Sequence, residues 1–385
     1  VGTSTNGSGA FGASVNILTD ASSYMPTAEV SNSFGSYNTW KHSVKFSTGK
    51  INDVFELSGR LSTINSDGYV DRAFSDLKSY FLQGTYNNNG TLIKALVFGG
   101  HEKTYQSWEG LTKQQLEDDR RQNPYTYENE IDNYKQDHYQ LHWNQKLNQN
   151  WSTNLGLNYT YGRGYYEQYR EDDAVSTYGG IVEATGVDFY GTAVTDLIRR
   201  RWLDNDFYVI NATANYKESD LNFIVGGSYS NYDGDHFGEV IWARQFASET
   251  SIRDQYYFGN GKKTDFSAFA KATYTLNSKI DVYGDLQLRN VGYKTSGLTS
   301  DLENMRIDES YSFFNPKVGV SYQLASNSSL YASYARANRE PSRSDFESNP
   351  DVKPEQLNDF EMGWRYNKEG VMLNINSYYM QYNEQ

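Results

Sequence analysis

Apolar and polar residues alternate one for one along most of this chain, and this pattern constrains its fold more than any other feature. In WSTNLGLNYTY (residues 151–161), Trp, Leu, Tyr and one Thr take the odd positions, whereas Ser, Asn, Gly and Thr take the even ones. The segment IDVYGDLQLR (residues 280–289) repeats the pattern, with Ile280, Leu286 and Leu288 on one face. Successive side chains of a β-strand point to opposite faces of a sheet. No comparable stretch sustains a helical period, so the sequence predicts an all-β fold.

The composition narrows the class of protein. The 385 residues include 34 Tyr and 32 Gly but no Cys, which excludes disulfide scaffolds, thiol catalysis and Cys-ligated zinc. The formal net charge is -13 at pH 7, and an acidic chain without basic tracts is not expected to bind nucleic acid. No apolar run reaches the roughly 18 residues that a membrane-spanning helix needs. A membrane location stays open, because transmembrane strands alternate and are not hydrophobic on average.

Short and long connections between the candidate strands alternate along the chain. Short connections rich in Gly, Asn, Asp, Ser and Lys include YNNNGT, KLNQNW, LNSKID and NKEGV. The long polar segments span residues 102–135, 163–205, 232–262 and 292–311. Bacterial outer-membrane barrels have short periplasmic turns at one end and long extracellular loops at the other. We therefore predict a transmembrane antiparallel up-and-down β-barrel, with about fifteen strands in this chain, an apolar face toward lipid and a polar face toward a lumen.

Both ends of the chain resemble a known family of membrane receptors. The first resemblance lies in GTSTNGSGAFGASVNILT (residues 2–19), which is similar to the last segment of the plug domain in TonB-dependent outer-membrane receptors. The second lies in SLYASYARANREPSRSDF and NPDVKPEQLNDFEMGWRY, which resemble the family's late barrel strands and the Pro-Glu-x-Leu sequence before the next strand. The resemblance implies a 22-stranded barrel with an N-terminal plug. It predicts that residues 1–22 are the C-terminal end of the plug and that residues 23–385 are a partial barrel with long extracellular loops. The chain is accordingly expected to begin within the plug and to stop before the last barrel strands.

Two further segments indicate what such a receptor would carry. They are GTLIKALVFGGHEKTYQSWEG and LIRRRWLDNDFY, which resemble the branch of receptors for ferric citrate and other iron complexes. The resemblance implies TonB-dependent active transport of a ferric chelate, citrate-like or a siderophore, across the bacterial outer membrane. The implied partners are the TonB complex, the iron chelate, and the lipid and lipopolysaccharide of the membrane, and no cofactor is implied. Two alternatives stay open: a haem or cobalamin receptor of the same fold, and a passive porin or adhesin barrel.

No motif of a known enzyme class is present. The sequence lacks G-x-S-x-G, a P-loop and H-E-x-x-H, so we expect no catalytic residues and no enzymatic activity. Asp233, Asp235 and Glu239 lie around a Gly in NYDGDHFGE, but the EF-hand pattern of Ca²⁺ ligands is not there. These acids are interpreted as a solvated loop, and no metal site is predicted.

Consecutive arginines provide the first candidate for binding a substrate. Arg199, Arg200 and Arg201 fall in a long polar segment of an otherwise acidic chain, and guanidinium groups bind pairs of carboxylate or chelate oxygens in a bidentate manner. Arg244, in the next long segment, is expected to join them, and Arg253, Lys262 and Lys263 are expected to add to the same positive mouth of the barrel. The alternative is that these cations only balance nearby aspartates.

Two histidines and one late segment complete the set of candidates. His101 lies at a strand end and His236 in a long segment, where they are candidate substrate-binding residues and, in a haem receptor, axial ligands. Arg339 and Glu340 lie near the extracellular rim in the family resemblance. They are expected to pair across the lumen or to hold the plug.

Overall fold

The computed structural model describes residues 3–6 and 23–384, which form a single antiparallel sheet with two short helices and two 3-10 turns. The strands are β1 Thr27–Gly35, β2 Thr39–Ser47, β3 Phe55–Ser66, β4 Ser75–Asn88, β5 Thr91–Tyr105, β6 Ile131–Lys146, β7 Trp151–Ala174, β8 Gly186–Val187, β9 Ala193–Lys217, β10 Leu221–Ala243, β11 Gln255–Asn277, β12 Ile280–Leu298, β13 Asn304–Ala325, β14 Ser328–Arg339, β15 Glu355–Lys368 and β16 Val371–Asn383. The helices are α1 Lys113–Asp118 and α2 Arg343–Ser348, and the 3-10 turns are Ser4–Asn6 and Val175–Tyr178. The predicted all-β class is confirmed.

The strands follow one another around the sheet in chain order. Each pairs with the next from β1 to β7 and again from β9 to β16, while β8 lies off this path and pairs with β9 alone. The sheet has 16 strands, close to the roughly fifteen expected of such a barrel segment. Over the described residues β1 and β16 are its two edges, and no ladder joins them. This order confirms the predicted up-and-down topology.

The two faces of the sheet differ in chemistry. We call the inner face the one that carries Asp285, because Asp285 Oδ2 accepts a hydrogen bond from the Ser4 backbone at 3.0 Å. Lys317 Nζ, from the neighbouring strand, donates to Ser4 Oγ on the same face at 2.8 Å. On the outer face of the same strands, Leu286 is 50% and Val320 is 44% exposed, whereas Asp285 is fully buried. The predicted division into an apolar face and a polar face is confirmed.

The strands continue past the apolar band on the side of the long connections. The aromatic residues Tyr159, Tyr208 and Tyr229 lie at the edge of this band on the outer face. Beyond them the outer face becomes charged, and ion pairs link neighbouring strands: Arg163–Asp204 at 3.3 Å, Lys262–Asp233 at 2.9 Å and Lys294–Asp308 at 3.0 Å. Opposite charges on facing strands stabilise a ladder, so the sheet does not end where its apolar surface ends.

The predicted boundaries of the long loops are therefore wrong. The connections at this end include residues 106–130, 175–192, 244–254, 299–303 and 340–354. The first four of these are shorter than the polar segments 102–135, 163–205, 232–262 and 292–311 from which the loops were predicted. A polar outer face marks the point where a strand leaves the lipid, not the point where its hydrogen bonding stops. At the opposite end the predicted short turns are confirmed, for example at residues 89–90 and 278–279.

A compact apolar cluster lies beneath the connection between β7 and β9. This connection folds back onto β9, β10 and β11, at the ends of these strands that adjoin the long connections. Together they bury Tyr178, Ile181, Val182, Leu197, Val240, Ala243, Tyr256 and Tyr257. The cluster fixes the mouth of the sheet beside the inner-face residues described below.

Two further points concern the ends of the chain and its helices. In the part of the chain that the structure describes, neither helix has the length and apolar character needed to cross a membrane.

Residues 1–2 and 7–22, including the strand predicted in ASVNILT, lie outside the described residues. The assignment of residues 1–22 to a plug therefore stays a prediction, as does that of residues 23–385 to a partial barrel.

Candidate functional site

Two rows of side chains lie on the inner face of β5 to β11. Both rows cross the ends of these strands that adjoin the long connections. The row farther from the apolar band consists of cross-strand neighbours, in the order Asp132, Tyr166, Arg201, Gly238 and Tyr257. The adjacent row, nearer the apolar band, consists of Glu102, Tyr134, Gly164, Leu203 and His236. Because side chains of register partners project from the same face, residues from six strands (β5, β6, β7, β9, β10 and β11) lie on one side of the sheet.

All of these residues except Gly238 line a cavity of about 530 Å³. Besides the two rows, its walls include Ser300, from the connection between β12 and β13, and Arg343 and Glu347 from α2. Gly238 lets aromatic rings approach the backbone closely, because a Cβ atom there would lie 2.4 Å from ring carbons of Tyr256 and Tyr257. A cavity of this size, with a few converging polar groups, is the usual form of a small-molecule site. We call it the mouth cavity.

The three consecutive arginines do not act as one cluster, because they lie in β9 and not in a loop. Alternation sends Arg199 and Arg201 to the inner face and Arg200 to the outer face. Arg200 forms an ion pair with Glu167 at 2.8 Å, and its guanidinium lies 4.2 Å from the centre of the Tyr165 ring. The expectation that all three occupy a loop is therefore wrong. It failed because their segment looks polar although it is paired on both sides.

Arg199 and Arg201 have different surroundings on the inner face. Arg199 is buried and donates to Gln168 at 3.0 Å and to the Tyr178 hydroxyl at 3.2 Å. Arg201 lines the mouth cavity and donates to the hydroxyls of Tyr166 at 3.2 Å and Tyr256 at 3.3 Å. Within residues 3–6 and 23–384, no carboxylate forms an ion pair with Arg201. Its charge is therefore oriented by neutral hydroxyls and remains available to an anionic group.

The other predicted cations are engaged elsewhere. Arg244 lies just after β10 and forms an ion pair with Asp196, away from the residues that line the mouth cavity. Arg253 pairs with Glu239 at 3.6 Å. Lys262 pairs with Asp233 on the outer face, and Lys263 pairs with Glu340. The cations that were predicted to form a positive mouth thus lie in separate ion pairs. Of the predicted arginines, Arg201 alone lines the mouth cavity.

The two candidate histidines lie on opposite faces. His236 lines the mouth cavity from β10, beyond the aromatic edge of the apolar band. Its burial lowers the pKa of the imidazole, and the nearby Arg343 guanidinium lowers this pKa further. His101 lies in β5 at an outer-face position, with Nε2 2.8 Å from Asn133 Oδ1. The structure therefore does not bring the two rings together as a pair of ligands.

The mouth cavity includes residues that the sequence did not single out as binding residues. Helix α2 carries two of them, Arg343 and Glu347, which pair with each other at 2.9 Å. A capping box starts the helix: Asp345 N donates to Ser342 Oγ at 3.4 Å, and Ser342 N donates to Asp345 Oδ2 at 2.8 Å. Phe346 stacks on Tyr293 of β12, with ring centres 6.2 Å apart. The Ser-x-x-Asp spacing was the available sequence signal for this helix.

Two carboxylates on β5 and β6 were also missed. Glu102 and Asp132 fell in a segment that was predicted as loop, so the face of each could not be assigned. Partial burial raises the pKa of Glu102, and the neighbouring Asp132 carboxylate adds to this shift. Burial likewise raises the pKa of Asp132. In the described ranges, neither carboxylate forms an ion pair with a basic side chain.

Glu340, the residue after β14, belongs to a separate buried network on the inner face. Arg289 Nη1 donates to Glu340 Oε2 at 2.8 Å, and Arg289 Nη2 donates to Asp265 Oδ2 at 2.6 Å. Burial favours a raised pKa for Glu340, but Arg289 and Lys263 hold this pKa below its usual range. Arg339 instead pairs with Glu355 of the adjacent strand β15 at 3.0 Å. Glu340 therefore pairs with residues of β11 and β12 in the same sheet, and the expectation that Arg339 and Glu340 pair across the lumen or hold the plug stays a prediction.

No group of three or more His, Asp or Glu side chains suited to holding a metal ion occurs in the described part of the chain. Asp233 and Asp235 both accept hydrogen bonds from Asn260, at 2.8 and 2.7 Å. Glu239 is buried and accepts from the Trp202 indole at 3.0 Å. These three acids lie in β10, so the expected solvated loop is wrong.

Comparisons with known proteins agree with this architecture. The family model described as "TonB dependent receptor-like, beta-barrel" matches residues 83–385. No curated protein sequence matches the chain. Among solved structures, the ferric-catecholate import receptor Fiu of E. coli K12 in its closed form aligns with a TM-score of 0.75 at 13% identity, covering 98% of this chain and 61% of that one.

Two other solved structures have the same fold. The siderophore receptor PiuA of Acinetobacter baumannii aligns with a TM-score of 0.72 at 13% identity, covering 97% of this chain and 59% of its own. The unliganded ferric citrate transporter FecA aligns with a TM-score of 0.69 at 14% identity, covering 95% of this chain and 53% of its own. At such identities the likeness concerns the fold alone. The chain spans between 53% and 61% of the lengths of these three structures.

Proposed function

Because this chain belongs to the TonB-dependent receptor family, whose β-barrel model matches residues 83–385, we propose that it takes up a ferric chelate, citrate-like or a siderophore, through TonB-dependent transport. The observation that supports this proposal is Arg201 in the mouth cavity. Its guanidinium is held by the Tyr166 and Tyr256 hydroxyls and has no carboxylate partner among the described residues. A chelate that presents carboxylate, catecholate or hydroxamate oxygens would accept charge-assisted hydrogen bonds there.

The surroundings of Arg201 support the same ligand chemistry. Tyr134, Tyr166 and Tyr257 supply flat, amphipathic side chains around the guanidinium, and such rings contact organic ligands while their hydroxyls donate hydrogen bonds. The lowered pKa of His236 leaves its imidazole neutral at pH 7, so this ring can act as a donor without adding charge. On the opposite face, the apolar band is expected to contact membrane lipid, and the charged outer face beyond it the headgroups and lipopolysaccharide.

Replacing Arg201 by Gln tests the binding site. We expect the variant R201Q to bind its ferric chelate about 10 to 100-fold more weakly, since a hydrogen bond to a charged group contributes about 1.5–3 kcal/mol. The measurement is equilibrium binding of a panel of iron-loaded chelates (citrate, catecholate and hydroxamate) to the purified receptor in detergent.

The matched control is R200Q, at the next residue of the same strand. Arg200 lies on the outer face in an ion pair with Glu167, so its loss should leave affinity within about threefold of the parent if only local contacts matter. Equal weakening in R200Q and R201Q would remove the mouth cavity from the proposal. If none of the ferric chelates bound the parent protein, the proposed substrate class would be wrong.

One observation favours a second substrate class, the tetrapyrroles. His236 lines the mouth cavity, and an imidazole with a lowered pKa can coordinate haem iron as an axial ligand. Haem and cobalamin therefore belong in the same binding panel. Tight haem binding that is abolished in His236→Ala, with no ferric chelate bound, would favour this alternative.

Dependence on TonB is tested in cells. We expect uptake of the radiolabelled ferric chelate to require this receptor and to fall to background in a strain without TonB, although surface binding persists. A passive barrel would continue to admit the chelate without TonB, so unchanged uptake in that strain would favour the porin alternative.

A further inference from the structure

The mouth cavity has two walls of opposite charge. Glu102 and Asp132 project from the adjacent strands β5 and β6, whereas Arg201 projects from β9. Asp132 and Arg201 are both register partners of Tyr166, on opposite sides of β7. Two strand spacings separate them, which corresponds to about 10 Å between their backbones. The carboxylates and the guanidinium therefore face a common space without forming an ion pair.

The charged groups around this space are not those of a site that binds anions only. The lining residues include two guanidinium groups, of Arg201 and Arg343, and three carboxylates, of Glu102, Asp132 and Glu347. Arg343 and Glu347 already pair with each other. The charges left without partners in the described residues are thus one cation, at Arg201, and two anions. A chelate with several net negative charges would gain at Arg201 but would be repelled by the two carboxylates.

From this arrangement we propose that the chelate carries a protonated amine, which binds at Glu102 and Asp132 while its anionic oxygens bind at Arg201. This inference rests on the proposed function, because it names the class of ferric chelate that the mouth cavity accepts. The tyrosines between the two walls, Tyr134 and Tyr166, would contact the body of the ligand. Two carboxylates with raised pKa values, held close together, are stabilised when an ammonium group binds between them.

The same arrangement accounts for discrimination between iron complexes. A multiply anionic tris-catecholate or citrate complex without an amine would leave both carboxylates unpaired and would add like charge beside them. Specificity that includes a repulsive element rejects close analogues more strongly than attraction alone. The acidic wall would therefore act against chelates of high negative charge.

The test uses two matched pairs of ferric chelates and the purified receptor. The first pair is ferrioxamine B, a ferric trihydroxamate with one free primary amine, and its N-acetyl derivative. The second is a ferric catecholate with a pendant primary amine and its acetylated form. We expect the amine form of at least one pair to bind about tenfold or more tightly than its acetylated partner at pH 7 and low salt.

The variants Glu102→Gln and Asp132→Asn keep the shape of each side chain and remove its charge. In the double variant, the preference for the amine should fall to about threefold or less, while affinity for the acetylated chelate stays the same or rises. Asp204→Asn is the control, because Asp204 lies on the outer face of β9 and pairs with Arg163. It removes one negative charge from the other face of the sheet and should leave the preference unchanged.

Each outcome decides a different claim. Equal affinity for both members of each pair, or tightest binding by an anionic chelate without an amine, would overturn the inference but leave the proposed function intact. A preference for the amine that survives in the double variant would place the amine elsewhere and would also overturn it. If no iron chelate of any class bound the parent receptor, the proposed function itself would fail.

Discussion

Replacing Arg289 by Met should lower the free energy of unfolding by about 3–5 kcal/mol, because it leaves two buried carboxylates without their cation. Arg289 is 5% exposed and lies between Asp265 and Glu340, which are 6% and 8% exposed. Its Nε and Nη2 both donate to Asp265, at 3.0 and 2.6 Å, and Nη1 donates to Glu340 at 2.8 Å. After the substitution Glu340 keeps Lys263 as a partner, whereas Asp265 loses both of its hydrogen bonds from Arg289.

The measurement is reversible urea unfolding of the receptor in lipid vesicles, followed by Trp fluorescence. Lys294→Met serves as the control on the same strand, because Lys294 and Asp308 form an ion pair whose side chains are 66% and 65% exposed. An exposed pair of this kind contributes about 0–1 kcal/mol. A triple variant with Leu at positions 265 and 340 should recover most of the loss, since apolar groups often replace buried ion networks without cost. Similar losses in R289M and K294M would mean that the network is not buried in the membrane-embedded protein.

Introducing Arg at Leu286 should cost about 2–4 kcal/mol of unfolding free energy if the side chain lies near the middle of the bilayer. Leu286 is 50% exposed on the outer face of β12, and its register neighbours Ala270 and Pro316 leave no polar partner for a guanidinium. The same urea titration measures the effect.

The control for this prediction is an Arg on the inner face of the neighbouring strand, nearer to the short turn between β11 and β12. Ser321 follows the outer-face Val320 in β13 and pairs with Asp281 of β12, so Ser321→Arg introduces the same side chain next to an acid and away from lipid. We expect a change within about 1 kcal/mol for S321R. If L286R and S321R had the same effect, the assignment of the faces would be incorrect.

The faces of the sheet could be predicted because they depend on a local period of two residues. Asp285 and Leu286 are neighbours in sequence, and alternation alone separates them into the inner and outer faces. The class, the topology and the number of strands follow from the same period and from the spacing of turns. This information survives in a single sequence because lipid and lumen impose opposite chemistry on successive positions.

The binding residues could not be predicted to the same extent. Their positions depend on where each strand stops pairing with its neighbours and on the register between the strands. Arg200 and Arg201 look equivalent in sequence, and only membership of a strand sends one outward and the other into the mouth cavity. Asp132 approaches Arg201 through two ladders with Tyr166 between them, a relation set by the register of three strands. The polar sequence around Arg201 and Asp132 suggested loops, because both faces of a strand are polar in the part that lies outside the membrane.

The extension of the strands beyond the apolar band has a consequence for how a ligand is captured. Arg201, Glu102, Asp132 and His236 are fixed to hydrogen-bonded ladders, so their preorganisation does not depend on ordering a flexible segment. Binding to such a site avoids much of the conformational entropy that loop ordering would cost. The strand spacing then works as a molecular ruler: it sets the separation of charges in steps of about 4.8 Å, and a ligand is selected by the distance between its own charged groups.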